Sequence, residues 1–264
     1  MTPAERFGQV LTPVRPAHGT ISILLRLALG MVGIAVIIIP YFLLCLVLLP
    51  WRMLRIRLGN VVGATIGRWV FAILGLSYEI RGPSLDAYAP AIFVQNHTGS
   101  LDLFLAMQLC PMPGSGTIKK ELLRIPFIGQ GYLLSGHLVL DRKNLDRAIR
   151  SMDAISEMAR SEHLSIWVLP EGTRSRSGRL LPFKKGFAHL ALSTGLPIVP
   201  VVVHEGHQFW STGLTVRPGR FYAEVLSPIS TSDWKPENIE QHISEVETVI
   251  NNSLAEHQKS QAII

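Results

Sequence analysis

Two short runs in this 264-residue chain hold the side chains that could do chemistry. In "VQNHTGSLD", residues 94–102, His97 is followed by Asp102 across Gly99. Imidazole changes its charge near neutral pH, and a carboxylate bonded to one ring nitrogen leaves the other free to take a proton. Five residues apart, the two side chains fall on opposite faces of a strand and about 140° apart on a helix. A loop turning at Gly99 into a helix near Ser100 is therefore needed to bring them together. The plainer reading is that Asp102 caps or charges the first turn of that helix. The second run, "PEGTRSRSG", residues 170–178, offers Glu171, Gly172, Thr173, Arg174 and Arg176, with Lys184 and Lys185 close behind. Glycine and two guanidiniums suit a phosphate monoester, which arginine grips through two parallel hydrogen bonds. The alternative is a solvated basic loop, the usual fate of such charge runs.

The elements around these runs argue for a shared location. From residue 78 onward, β-rich segments ("SYEIRG", "AIFVQN", "HLVLDR", "LSIWVLP", "LPIVPVVVH", "LTVRPGR", "FYAEVLSPI") alternate with helical patterns such as "SLDLFLAMQLC", "NLDRAIRSMDAISEMARS" and "KGFAHLALSTG". Such alternation predicts an α/β domain, a mostly parallel sheet flanked by helices. The last two strands, meeting near "RPGR", are expected to form an antiparallel edge. A C-terminal amphipathic helix follows, with Ile239, Ile243, Val246 and Ile250 on one face. Ligands of open α/β sheets bind outside the carboxyl ends of the strands. Three loops meet that description: "NHTGSLD", "DRKN" at 141–144 and "PEGTRSRSG".

The N-terminal part is different. Residues 27–51, "LALGMVGIAVIIIPYFLLCLVLLPW", carry no charge, in a chain that is 48% apolar with mean hydropathy +0.30. A bilayer-spanning helix takes roughly 20 apolar residues, and the run is too long for the core of a signal peptide. Arg15 and Arg26 precede it, while Arg52, Arg55 and Arg57 follow. Basic flanks on both sides predict that both ends return to one face, with Pro40 as the place for a bend. The next stretch, residues 61–80, is apolar but contains Arg68 and Trp69, as an interfacial helix would. The reading is thus a membrane-embedded helical module over residues 1–77, a hairpin or a span plus an interfacial helix, and an α/β domain over 78–264. A net charge of +6 and a pI near 9.6 suit anionic lipid headgroups. No aromatic-interleaved basic pattern points to nucleic acid. Cys45 and Cys110 have no metal spacing and are expected to be reduced.

Taken in order, these blocks resemble the 1-acylglycerol-3-phosphate acyltransferase family of glycerolipid synthesis. The resemblance runs over roughly residues 78–230. It rests on His-x4-Asp in "NHTGSLD", on "KKELLRIPFIG" followed by "VLDR", on "LPEGTRSRSG" with "FKKG", and on the proline-containing strand "LPIVPVVV". It implies that His97 deprotonates the sn-2 hydroxyl of lysophosphatidic acid, which attacks a thioester, while Asp102 sets the tautomer. It further implies that Arg174 binds the glycerol phosphate, with Glu171, Gly172 and Thr173 shaping the loop and Lys120 assisting. Residues 122–134 would line the acyl channel. The implied donor is acyl-CoA or acyl-carrier protein, with no cofactor and no metal. The implied partners are membrane lipids and a lysophospholipid acceptor, and the implied setting is the cytoplasmic face of a bacterial inner membrane. One departure is Gly99, where many members carry serine or another small residue.

Other classes fit less well. A serine hydrolase would show a G-x-S-x-G elbow, and a zinc hydrolase a ligand pair such as H-E-x-x-H. His137, His189, His204 and His207 read as structural or surface residues, and "GQGYLL" lacks the third glycine and the strand of a dinucleotide loop. A lipid-binding membrane protein without chemistry would have no need of His97 as a base. Within the resemblance, a different acceptor such as lyso-ornithine lipid is the alternative.

Overall fold

The computed structural model describes residues 16–119, 128–140, 145–175, 177–211 and 213–261. Two long helices come first, α1 (Thr20–Val47) and α2 (Arg52–Leu74). There follow β1 (Leu76–Arg81), β2 (Ile92–Gln95), α3 (Leu101–Leu109), β3 (Gly114–Lys119), α4 (Ile128–Ser135), β4 (Leu138–Leu140) and α5 (Leu145–Ser161). The last elements are β5 (Ser165–Val168), α6 (Gly186–Thr194), β6 (Ile198–His204), α7 (Gly206–Trp210), β7 (Gly219–Val225) and α8 (Ile239–Ser253). Among the described residues the strands form one seven-stranded sheet in the order β1-β7-β6-β2-β5-β3-β4. Every neighbouring pair is parallel except β6 with β7. This is the mostly parallel, helix-flanked sheet that the alternating pattern predicts.

Period-two alternation places the core on both faces of that sheet. Ile92 and Val94 of β2 join Ile166, Val168, Ile198 and Val202 in one buried cluster under α5, α6 and α8. Phe93 points the other way, with Trp167, Val199, Val201 and Val203, into a second cluster that α2 and α3 complete. The rings of Phe93 and Trp167 stack with centroids 5.4 Å apart. The C-terminal helix buries Ile239, Ile243, Val246 and Ile250, the face expected of it.

One strand expectation is corrected. "LTVRPGR" and "FYAEVLSPI" do not make an antiparallel edge pair; a single strand, β7, forms there and lies inside the sheet. It is antiparallel to β6 on one side and parallel to β1 on the other, from Leu76↔Gly219 to Arg81↔Glu224. Pro218, immediately before β7, has no backbone N–H to give to a ladder. The edge strand is β1 instead. A strand not expected at all is β3, "GSGTIK", whose glycines and serine hide any hydrophobic alternation. Its first residue is held from outside the sheet: Asn60 Nδ2 donates to the Gly114 carbonyl (2.7 Å), and Gly114 N–H donates to Asn60 Oδ1 (2.9 Å).

The N-terminal helices form an antiparallel hairpin that turns at residues 48–51, and α1 continues through Pro40 without a break. Three contacts fix the antiparallel register. Arg26 donates to the Ile73 carbonyl, Gly33 lies under the Trp69 ring, and Tyr41 Oη donates to the Arg55 carbonyl at 3.0 Å. Helix α1 is long and apolar enough to cross a membrane; 28 residues span about 42 Å. It buries Ile23, Gly30, Tyr41 and Cys45 along one stripe, and exposes Leu25, Met31, Val32, Val36, Leu43 and Val47 among others. Helix α2 is not a free tether. Glycines at four-residue spacing let it approach its neighbours closely, since a Cβ at Gly67 would sit 2.6 Å from the Phe104 carbonyl oxygen of α3 and one at Gly59 2.7 Å from Tyr41 Oη. Ile66, Val70, Phe71 and Leu74 are buried in the same cluster as the sheet.

Candidate active site

Strand β2 is flanked by β5 and β6, so the loops leaving β2 and β5 emerge side by side at one edge of the sheet. Immediately after β2, the Asn96 side chain stands in for a further residue of ladder. Its Nδ2 donates to the Val203 carbonyl (3.0 Å), and Val203 N–H donates to its Oδ1 (2.7 Å). His97 follows, with its backbone pinned on both sides. Its N–H donates to Glu171 Oε1 at 2.6 Å, and its carbonyl accepts from Ser175 N–H at 2.9 Å. The two loops are thus one hydrogen-bonded unit before any substrate is considered.

Asp102 lies in the first turn of α3 and is fully buried. Three donors converge on its Oδ2: Thr98 N–H at 2.6 Å, Gly99 N–H at 2.8 Å and His97 Nδ1 at 3.0 Å. Asp102 therefore does not cap its own helix, where Ser100 occupies the N-cap position without a side-chain cap bond. It folds back on the loop and orients the imidazole. A carboxylate acceptor at Nδ1 places the ring proton there, leaving Nε2 as the nitrogen that can accept one. The His97 side chain is 16% exposed, enough to be reached from outside and too little to rotate freely.

The bend that makes this possible has no room for a side chain. A Cβ on Gly99 would collide with the Trp210 carbonyl oxygen, which already accepts from Ser100 N–H at 2.9 Å. Trp210 is itself fixed by stacking on Phe104 of α3, with ring centroids 5.7 Å apart. A Cβ on Gly206 would lie 3.0 Å from Thr98 Oγ1 and 3.5 Å from Asp102 Oδ1. Neither of those two buried oxygens has a hydrogen-bond partner among the described residues.

In the second loop, Glu171 is 1% exposed and faces the protein. Its Oε1 accepts from His97 N–H and its Oε2 from Leu181 N–H at 3.2 Å. Burial pushes this carboxyl up to about 8; the two backbone N–H groups oppose the rise, and the charges of Asp102 and Glu247 add to it. Gly172 takes the left-handed conformation, φ 70°, that the tight turn needs. Thr173 and Arg174 are exposed, and Arg174 reaches back across to the first loop, where a terminal nitrogen donates to Ser100 Oγ at 2.6 Å. Lys120, Arg176, "DRKN" and residues 122–127 of the expected acyl channel fall outside the described residues. Of the other histidines, His204 stacks on Tyr222 (4.3 Å), His137 Nδ1 meets Ser115 Oγ (3.0 Å) and His207 lies against Gly178. Among the described residues no three His, Cys, Asp or Glu side chains are grouped as a metal ion requires.

Three positioning residues escape a reading of the sequence: Asn96, Trp210 and Gly206. An asparagine at the end of an apolar strand, as in "FVQNH", is a signal that a side chain takes over the ladder. Nothing in the local sequence links residues 206–210 to the His97 loop, because that contact is made through backbone atoms.

The acyltransferase domain family, "Acyltransferase", matches residues 78–204. The chain is 41% identical over 222 residues, 84% of its length, to a protein of Limnanthes douglasii named 1-acyl-sn-glycerol-3-phosphate acyltransferase, covering 79% of that protein. It is 34% identical over 191 residues to one of the same name from Escherichia coli K12, covering 72% of this chain and 78% of that one. Among solved structures, the 1-acyl-sn-glycerophosphate acyltransferase of Thermotoga maritima superposes with a TM-score of 0.57 at 22% identity. That superposition covers 84% of this chain and 94% of the other, and shows a common fold.

The buried Glu171 makes a pH-dependent stability testable. Its folded value, about 8, lies above the ordinary 4.5. The folded state therefore holds a proton that the unfolded state has lost between those values, and this contribution is complete below about 4.5 and lost as pH rises through about 8. Thermal unfolding followed from pH 5 to 9 should show a falling Tm in the wild type and a flatter profile in Glu171→Gln. Parallel profiles in the two proteins would count against the assignment.

Proposed function

The chain belongs to the 1-acyl-sn-glycerol-3-phosphate acyltransferase family, and we propose that it transfers a fatty acyl group from a thioester donor to the sn-2 hydroxyl of lysophosphatidic acid. The product is phosphatidic acid, an intermediate of phospholipid synthesis. The observation that carries this reading is the union of the two loops. A His–Asp pair with Nε2 free lies next to an exposed arginine that is already hydrogen-bonded to the same loop.

In this mechanism His97 Nε2 takes the hydroxyl proton as the oxygen attacks the thioester carbonyl. The Asp102 carboxylate holds Nδ1–H and stabilises the imidazolium that forms. The tetrahedral intermediate collapses with cleavage of the C–S bond, and His97 returns its proton to the leaving thiolate. No acyl-enzyme is needed, because the acceptor hydroxyl is itself the nucleophile. Arg174 supplies the phosphate fork, from a position where the Ser100 hydroxyl holds its other edge. Glu171, Gly172 and Thr173 shape that loop, and Lys120 adds a second cation. The donor is acyl-CoA or acyl-carrier protein; the thioester supplies the driving force without a cofactor.

The hairpin supports a membrane arrangement in which α1 lies along one face of the bilayer. Helix α1 packs lengthwise on α2, and α2 is seated on α3 and the sheet, so both ends of α1 stay on the side of the catalytic domain. Its exposed apolar face then enters one leaflet, on the cytoplasmic side where acyl donors are made.

Three measurements test this reading. His97→Ala should lower kcat by on the order of 10² to 10⁴, the range for a positioned base, with an unchanged far-UV spectrum. Asp102→Asn should lose a comparable amount, and near-normal turnover in either variant would remove the mechanism. Arg174→Ala should raise KM for lysophosphatidic acid, since a hydrogen bond to a charged group is worth about 1.5–3 kcal/mol, and Arg174→Lys should recover only part of the loss. A rise confined to the donor KM would reassign Arg174. Finally, a cysteine introduced at Thr2 should resist an impermeant thiol reagent until the cells are opened. Labelling in intact cells would make α1 a true span.

A further inference from the structure

Away from the His97 loops, the first turn of α2 borders a half-open cavity of about 300 Å³ lined by Arg52, Arg55, Leu133, His137, Ile155 and Met158. We propose that this cavity binds the phosphate of an anionic glycerophospholipid headgroup, as a site separate from the one that does chemistry.

Among the described residues, the charge beside this cavity is unbalanced. Arg55 is only 8% exposed. Its two terminal nitrogens donate to the backbone carbonyls of Leu134 and Leu49, while its buried Nε has no partner among the described residues. Arg52 donates from Nε to the Gly136 carbonyl at 2.9 Å and makes no other hydrogen bond among the described residues. Neither guanidinium meets a carboxylate there. Burial, and then the charge of Arg55, lower the proton affinity of Arg52, as expected for two cations facing one space. His137 does not offset them: burial, followed by Arg52, takes it down to about 4, so it is neutral at physiological pH. Two cations beside a cavity, one of them buried, call for an anion. The forked donors left over on Arg52 suit a phosphate.

The rest of the wall identifies the anion as part of a lipid. Leu133, Ile155 and Met158 are apolar and give a free inorganic ion nothing to bind. Beside them the hairpin turn carries exposed Leu49, Trp51 and Leu54; tryptophan and arginine together mark the level of the headgroups at a bilayer surface. A volume of about 300 Å³ holds a headgroup and its glycerol, with the acyl chains leaving through its open side.

The test uses the full chain in neutral detergent, with Tm followed as dioctanoyl phosphatidylglycerol, dioctanoyl phosphatidylcholine or inorganic phosphate is added. Phosphatidylglycerol should raise Tm saturably and phosphatidylcholine should not. Arg52→Gln should weaken the apparent affinity at least tenfold. Met158→Trp, which fills the cavity and leaves both charges in place, should abolish the shift; it keeps the test sound if Arg52→Gln alone lowers stability. Arg174→Ala and His97→Ala should retain the shift in full, which separates this site from the catalytic one. Persistence of the shift in both cavity variants would overturn the proposal. So would its loss in Arg174→Ala, or its full reproduction by inorganic phosphate.

Discussion

Strand β2 is hydrogen-bonded in parallel on both edges, to β5 and to β6, and this double pairing is what the catalytic end depends on. A strand with two parallel neighbours must deliver its C-terminal loop between theirs. The loop after β2 therefore meets the Glu171–Ser175 loop on one side and the α7 segment on the other, and it is bonded to both. The backbone of His97 is consequently pinned by atoms more than seventy residues away in sequence, the Glu171 side chain and the Ser175 N–H.

Within that frame the chemistry is arranged economically. One oxygen of Asp102 takes two backbone N–H groups and the imidazole N–H, so the bend at Gly99 and the orientation of the imidazole have one cause. Glu171 does for the loop's backbone what Asp102 does for its side chain. Carboxylates that look equivalent in the sequence thus divide their work by burial and by partner: one serves the imidazole, the other joins two loops.

Much of this was legible from residue types. The alternation of apolar strands and amphipathic helices specifies a parallel sheet, and the rule that sites lie at strand carboxyl ends selects the two loops that the fold brings together. What escaped has a common physical origin. Strand β3 is built from glycine and serine and is held by the Asn60 side chain, so no hydrophobic period announces it. The place of β7 inside the sheet is decided by its pairing with β1, a contact of long sequence separation that no local pattern encodes. The bend expected at Pro40 falls instead at residues 48–51, since α1 runs unbroken through the proline. Asn96 and Trp210 act through backbone partners, which motif reading cannot see.

The seating of α2 has a practical side. Ile66, Val70, Phe71 and Leu74 share a core with Phe93, Leu101 and Leu105, while the opposite side of the helix carries α1. Cutting the chain at the start of β1 to obtain a detergent-free enzyme would strip a layer from the domain and leave α3, the helix bearing Asp102, facing water with its apolar residues. A soluble form is better sought by replacing the outward apolar residues of α1 with polar ones, keeping both helices. The outward apolar surface and the α/β fold are separable by mutation, and inseparable by proteolysis.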